Sequence, residues 1–240
     1  MTREARASAE TAVDVRAALA EGLATLLFVF MGAGTVAVSG MIDNGALSSA
    51  RLVAIAMAHG IAILIGVAAA AKLSGGHLNP AVTIAACLAG KIGLRRAGTY
   101  IAAQLAGAII GAVLIKVVVP DPFEGTLGSH AVGAGVGVGA ALVAEIVGTF
   151  ALVWVVFAVA IDPKGLNTIA PIAVGLTILL IHLFLVPLTG AGVNPARSFG
   201  PALISMTWAD HWVYWVGPIV GGSLAGLMYE WVFMNRGGGN

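Results

Sequence analysis

The sequence predicts an all-α membrane protein, with six transmembrane helices and two re-entrant half-helices arranged as an inverted repeat. Three observations carry that prediction. Of 240 residues, 59% are hydrophobic and only 10% charged, and the mean hydropathy is +1.00, far from the composition of a soluble globular chain. The triplet Asn79-Pro80-Ala81 returns as Asn194-Pro195-Ala196, each after a glycine-rich approach, Gly75-Gly76-His77-Leu78 and Gly190-Ala191-Gly192-Val193. Finally, Ala20-Glu21-Gly22-Leu23-Ala24-Thr25 is echoed by Ala144-Glu145-Ile146-Val147-Gly148-Thr149, each copy ahead of its own triplet.

Taken in order, residues 1–16 form a mixed-charge tail with Arg3, Glu4, Arg6, Glu10, Asp14 and Arg16. It lacks the basic start, short apolar run and small-residue cleavage site of a signal peptide, so the first span is expected to stay as a membrane helix. A membrane domain is expected over 17–235, with halves at about 17–119 and 138–235, followed by a tail over 236–240. Hydrophobic spans run over 17–39, 52–71, 97–119, 138–161, 169–188 and 212–233, separated by polar or turn-rich joints. Gly60, Gly66, Gly107, Gly111, Gly217, Gly221 and Gly226 suit close helix contact. Tyr100, Trp208, Trp212, Tyr214, Trp215, Tyr229 and Trp231 fit interfacial anchors.

Each triplet reads as a helix start, because Asn is a favoured N-cap and proline at the first helical position gives up only an N–H that would be unpaired there. The segments that follow, 80–90 and 195–206, are about half the ~20 residues a spanning helix needs. Three spans per copy is an odd number, so the two copies lie inverted in the membrane. With the termini cytoplasmic, nine basic residues lie inside (Arg3, Arg6, Arg16, Lys72, Lys91, Arg95, Arg96, Lys164, Arg236) and three outside (Arg51, Lys116, Arg197), which sets the orientation. Half-helices entering from opposite faces would bring Asn79 and Asn194 together with positive helix ends behind them. That is a site for a neutral hydrogen-bonding solute and a barrier to cations.

Several classes are excluded or set aside. A net charge of +1 without a basic run offers nothing to nucleic acid. The single Cys87 rules out an intrachain disulfide framework. Histidines at metal-ligand spacing and a nucleophile elbow are both lacking, so neither a metal nor an enzyme is expected. Glu21 and Glu145 are costly inside spans and read either as a proton relay or as acceptors for backbone N–H groups of the loops ahead of the half-helices. Gln104 reads as a further support for such a loop. The segments 74–78 and 190–193 are expected to line a wet cavity with a ladder of carbonyl oxygens.

With Arg197 one place after the second triplet, the chain resembles the aquaporin family, the major intrinsic proteins, over about residues 15–235. The resemblance implies a passive, bidirectional, single-file water channel that excludes ions and protons. It implies a homotetramer with one pore per subunit and no cofactor. It favours loop support for Glu21 and Glu145, and makes Asn79, Pro80, Ala81, Asn194, Pro195 and Ala196 the central constriction. Counted on family spacing, the outer filter is His59, twenty residues before Asn79, with His182 and Ala191, twelve and three before Asn194, and Arg197.

Within the family, His59 and the segments Ile161-Asp162-Pro163-Lys164 and His211-Trp212-Val213-Tyr214-Trp215 look like the plant tonoplast intrinsic branch. That branch usually has an aliphatic residue where His182 stands. Ser129-His130-Ala131-Val132-Gly133 resembles members that also pass ammonia, with the loop His joining the filter. A water channel that also conducts ammonia is therefore the alternative reading, with glycerol disfavoured by Ser198, Ala202 and the pair Tyr214-Trp215. A secondary active transporter is the alternative of a different class, since inverted halves and membrane carboxylates suit one. The expected location is the cell membrane, with the vacuolar membrane as the alternative.

Overall fold

The computed structural model describes residues 3–120 and 125–234, with side chains from Val15 onward. The charged side chains of the tail before Val15, and the 236–240 tail with Arg236, lie outside the described residues. The first helix, α1 (Arg3–Ile42), starts well before the span expected from residue 17. Its Ala-, Glu- and Arg-rich beginning favours helix independently of hydropathy.

The remaining helices are α2 (Ser49–Ala70), the half-helix α3 (Pro80–Leu88), α4 (Leu94–Val118), α5 (Val138–Val156), α6 (Ala170–Thr189), the half-helix α7 (Pro195–Ser205) and α8 (Val213–Tyr229). Among the described residues, five helices, α1, α2, α4, α5 and α6, are long and apolar enough to cross a membrane. The sixth, α8, has 17 α-helical residues and continues as a π-helical turn over Glu230–Met234. A matching π turn, Phe157–Ile161, continues α5.

Local chemistry fixes the boundaries. The Ser48 hydroxyl accepts from Arg51 N–H and starts α2, while Asn79 and Asn194 cap α3 and α7 with proline as the next residue. Gly190, in the left-handed region at φ 80°, ends α6.

The packing repeats with the sequence. Helix α1 lies against α4 as α5 lies against α8, and each half-helix packs on the last span of the other half, α7 on α4 and α3 on α8. Helices α2 and α6 pair with each other across the pseudo-twofold axis. Glycine permits this closeness. A Cβ on Gly107 would lie 2.1 Å from the Gly22 carbonyl oxygen, and one on the equivalent Gly221 would lie 2.1 Å from that of Ile146. On the axis, Gly60 and Gly175 face each other's carbonyls in the same way, at 2.8 and 2.7 Å.

Gly107→Ala is therefore expected to destabilise the protein by about 1–3 kcal/mol through forced separation of α1 and α4. Gly98→Ala in the same helix meets nothing within 4 Å and should be neutral or slightly stabilising. Thermal unfolding in detergent, followed by tryptophan fluorescence, compares the two.

Candidate functional site: a central junction and an outer constriction

Two loops of irregular backbone run into the interior, and each is held by one buried carboxylate. Glu21 accepts from the N–H groups of His77 (2.8 Å) and Leu78 (2.7 Å), the Ser74 hydroxyl (2.6 Å) and the Gln104 amide (2.8 Å). Glu145 accepts from the N–H groups of Gly192 (2.8 Å) and Val193 (2.7 Å) and the Thr189 hydroxyl (2.6 Å). Both glutamates are fully buried. A carboxylate that takes several donors replaces the hydration it has lost, which makes its burial tolerable.

Tyrosines complete each anchor. The Tyr100 hydroxyl donates to the Ser74 carbonyl at 2.9 Å, and that of Tyr214 to the Thr189 carbonyl at 2.8 Å. The sequence reading of these two as interfacial anchors is corrected here, since both rings are fully buried. Their hydroxyls find interior carbonyl partners instead of headgroup water. A hydroxyl residue five positions before each triplet Asn, Ser74 and Thr189, was the available signal for this arrangement.

At the centre the halves clasp each other. The Asn79 side-chain oxygen caps α3 by accepting from Ala81 N–H at 2.9 Å, and its amide donates to the Val193 carbonyl at 2.8 Å. The Asn194 oxygen accepts from Ala196 N–H at 3.0 Å, and its amide donates to the Leu78 carbonyl at 2.9 Å. One N–H of each amide is spent on the opposite loop, which leaves one on each side to face the channel. In the expected carbonyl ladder the Ser74, Leu78 and Val193 oxygens each already have a side-chain donor, which leaves a solute at most their second lone pair. Leu78 and Val193 sit at φ 51° and 42°, a conformation that costs such residues about 1–3 kcal/mol. Their N–H groups on the carboxylates and their carbonyls on the Asn amides hold them there. Pro80, Ala81, Pro195 and Ala196 are buried as the first residues of the half-helices.

A cavity of about 110 Å³ reaches this junction from the side of the termini, lined by Phe28, His77, Asn79, Val82, Ile178 and Asn194 among others. On the opposite side lies a tight cluster. Arg197 is 1% exposed. Its Nε and Nη2 both reach His59 Nε2 at 3.2 Å, and its Nη1 donates to the Gly128 carbonyl at 2.7 Å. His59 Nδ1 lies 2.8 Å from the Ile55 carbonyl and His182 Nδ1 lies 2.8 Å from that of Ile178, so each ring donates from Nδ1. The two rings stack with centroids 4.3 Å apart, and His182 Nε2 is buried without a partner among the described residues.

Ala191 lies in the second loop at φ 60° with its N–H on the Thr189 hydroxyl. The adjacent Gly190 abuts His130: a Cβ there would lie 2.8 Å from the ring. His130, in the outer loop, contacts the Ser198 hydroxyl at 2.9 Å through Nδ1. Its burial, and then the positive charge of Arg197, push its pKa well below the ordinary value, so the ring is neutral at pH 7. Sequence reasoning missed the Gly128 carbonyl. Its only trace is a glycine, at φ 72°, whose Cβ would lie 2.5 Å from the Ala33 carbonyl oxygen.

Comparison with known proteins decides the family. The model for "Major intrinsic protein" matches residues 8–229. The chain belongs to the major intrinsic protein family. It is 48% identical over 224 residues to "Aquaporin TIP2-3" of Arabidopsis thaliana, covering 92% of this chain and 88% of that one. It is 47% identical over 226 residues to "Aquaporin TIP1-1" of the same plant, with the same coverage. Among solved structures, the aquaglyceroporin from Plasmodium falciparum matches with a TM-score of 0.78 and 26% identity, over 91% of this chain and 96% of that one. The chain is thus an integral membrane channel of aquaporin type, with plant TIP aquaporins among its relatives, and not an enzyme.

In this major intrinsic protein, Glu145→Gln would put an amide NH2 in place of one carboxylate oxygen, facing the N–H of either Gly192 or Val193, which sit on different oxygens. A loss of at least about 2 kcal/mol is expected, because hydrogen bonds to a charged acceptor are weakened and one buried donor is orphaned. Unfolding in detergent, with folded yield by size-exclusion chromatography, measures it.

Proposed function

We propose that the chain is a passive, bidirectional water channel whose single-file path runs from the inner cavity, past Asn79 and Asn194, to a filter of His59, His182, Ala191 and Arg197, with His130 beside it. The observation that carries this reading is the reciprocal clasp of the two Asn side chains. It brings two half-helix N-termini toward one point and leaves one amide N–H on each side for a solute oxygen. A water oxygen held by two such donors points its hydrogens outward, which opposes proton hopping through the centre.

Ion exclusion has its own support. Arg197 is buried and its side chain bonds the His59 ring and the Gly128 carbonyl with no carboxylate partner, so its charge remains for an entering cation to meet. Among the described residues the one ion pair is Lys91 with Glu230, remote from this site. Glu21, Glu145 and Gln104 serve as loop supports in this reading, because the carboxylates' oxygens are occupied by loop donors. That occupation speaks against a proton relay and against a gradient-coupled secondary active transporter.

Ammonia conduction is the second reading. It is favoured by the unpartnered Nε2 atom of His130, which can accept an N–H. Glycerol fits less well, since stacked His59 and His182 rings leave little apolar wall for a carbon backbone. A homotetramer belongs to this reading as the family's usual assembly; the apolar outer groove between α1 and α2, lined by Leu23, Leu27, Met31 and Ile65, would be covered by a neighbouring subunit or by lipid alike. Of the two membranes weighed from the sequence, the TIP-type relatives named above favour the vacuolar one over the cell membrane.

The test is stopped-flow light scattering on proteoliposomes beside His182→Ile, with glycerol re-swelling and ammonium-driven alkalinisation read on the same vesicles. Osmotic shrinkage at least about tenfold faster than in empty vesicles is expected, without re-swelling in glycerol, and His182→Ile should raise ammonia entry by a few-fold. Shrinkage no faster than in empty vesicles, or flux that needs a sodium or proton gradient, would overturn the reading.

A further inference from the structure

Two hydroxyls hold two histidines in the same way on opposite sides of the central clasp. Thr83 and Ser198 each stand four residues after a triplet Asn. The Thr83 hydroxyl donates to the Asn79 carbonyl at 3.0 Å and the Ser198 hydroxyl to the Asn194 carbonyl at 3.2 Å. A hydroxyl has one proton and otherwise only accepts. With the proton committed to a carbonyl, every other polar group on that oxygen must be a donor. The Thr83 oxygen is met by the Gln104 amide at 3.0 Å and by His77 Nδ1 at 3.0 Å. The Ser198 oxygen is met by His130 Nδ1 at 2.9 Å.

In that arrangement both rings carry the proton on Nδ1 and a bare lone pair on Nε2. His130 Nε2 is buried without a protein partner among the described residues. His77 lines the inner cavity, with its Nε2 beside Gly75. Backbone carbonyls impose the same tautomer on His59 and His182, but those come from the ring's own helix. The hydroxyls belong to the half-helices, so at His77 and His130 the half-helix itself sets the hydrogen-bonding sense.

We propose that Ser198 and Thr83 are positioning residues that lock His130 and His77 as Nδ1–H tautomers, so that a solute approaching the central junction from either face first meets a neutral acceptor. The class selected is small neutral molecules that lead with an N–H or O–H. The acceptor role rests on the channel reading above; the lock does not.

The experiment is solid-state NMR of the full chain, labelled with nitrogen-15 histidine, in liposomes, with His130→Asn and His77→Asn for assignment. Expected are a protonated Nδ1 and a bare Nε2 for both rings. Ser198→Ala should shift the His130 tautomer ratio toward Nε2–H by about fivefold, the equivalent of one ordinary hydrogen bond, with His77 unmoved. Ser198→Thr should restore it, and Thr83→Val should shift His77 alone. Finding His130 as Nε2–H in the unsubstituted chain overturns the lock even if Ser198→Ala fails to fold, and so does a His130 spectrum that Ser198→Ala leaves unchanged. Water flux on the same liposomes separates the two claims. An intact lock in a chain with no flux above empty liposomes overturns the channel reading, whereas normal flux with a shifted His130 tautomer takes that ring out of the solute's path.

Discussion

Non-helical backbone deep in a membrane survives only where its polar groups find partners, and in this protein two glutamates provide them. Each carboxylate gathers two successive loop N–H groups and a hydroxyl, and each is set one residue ahead of a point of very close helix contact, at Gly22 and Ile146. The loop is therefore tied to the most tightly packed seam in its half. With its N–H groups fixed, the chain can hold Leu78 and Val193 in a left-handed conformation and turn their carbonyls toward the opposite Asn. The capping of both half-helices and the placement of Arg197 follow from that one arrangement.

The rigidity of the outer cluster has a similar origin. Arg197 is the second residue after Pro195, so its backbone is fixed by the Asn194 cap, whose side-chain oxygen accepts from Arg197 N–H at 3.3 Å. Its guanidinium is then divided between a ring nitrogen of α2 and a carbonyl of the outer loop. The outer cluster is thus assembled from separate stretches of chain: α2, the outer loop, α6 and the start of α7.

Much of the fold was legible because its signals are local. Asn-Pro marks a helix start by cap chemistry alone, and the short run after it is too brief to span, so α3 and α7 could be read without tertiary knowledge. The boundary that failed did so for a physical reason: helix propensity carried α1 beyond its apolar stretch, whereas the expected last span, 212–233, matches α8 together with its π turn. At the site, His59, His182 and Arg197 were reached by counting along family spacing, and the structure brings the three together. Tyr100 and Tyr214 were misread because an aromatic near a span end has the same sequence appearance whether it faces headgroups or a buried carbonyl. The Gly128 carbonyl was illegible in principle, since a backbone acceptor has no side chain to announce it.

The central clasp also bears on how such a chain is made. Until the second triplet has been synthesised and inserted, the Leu78 carbonyl lacks its donor and the Asn79 amide its acceptor, although Glu21, Ser74, Tyr100 and Gln104 are already in place around the first loop. The first half can thus prepare its loop but cannot finish it. Completion waits for a segment more than a hundred residues downstream. Each repeat is in effect a template for the other, and an assembly line that released the first half alone would release it with its most central backbone still unpaired.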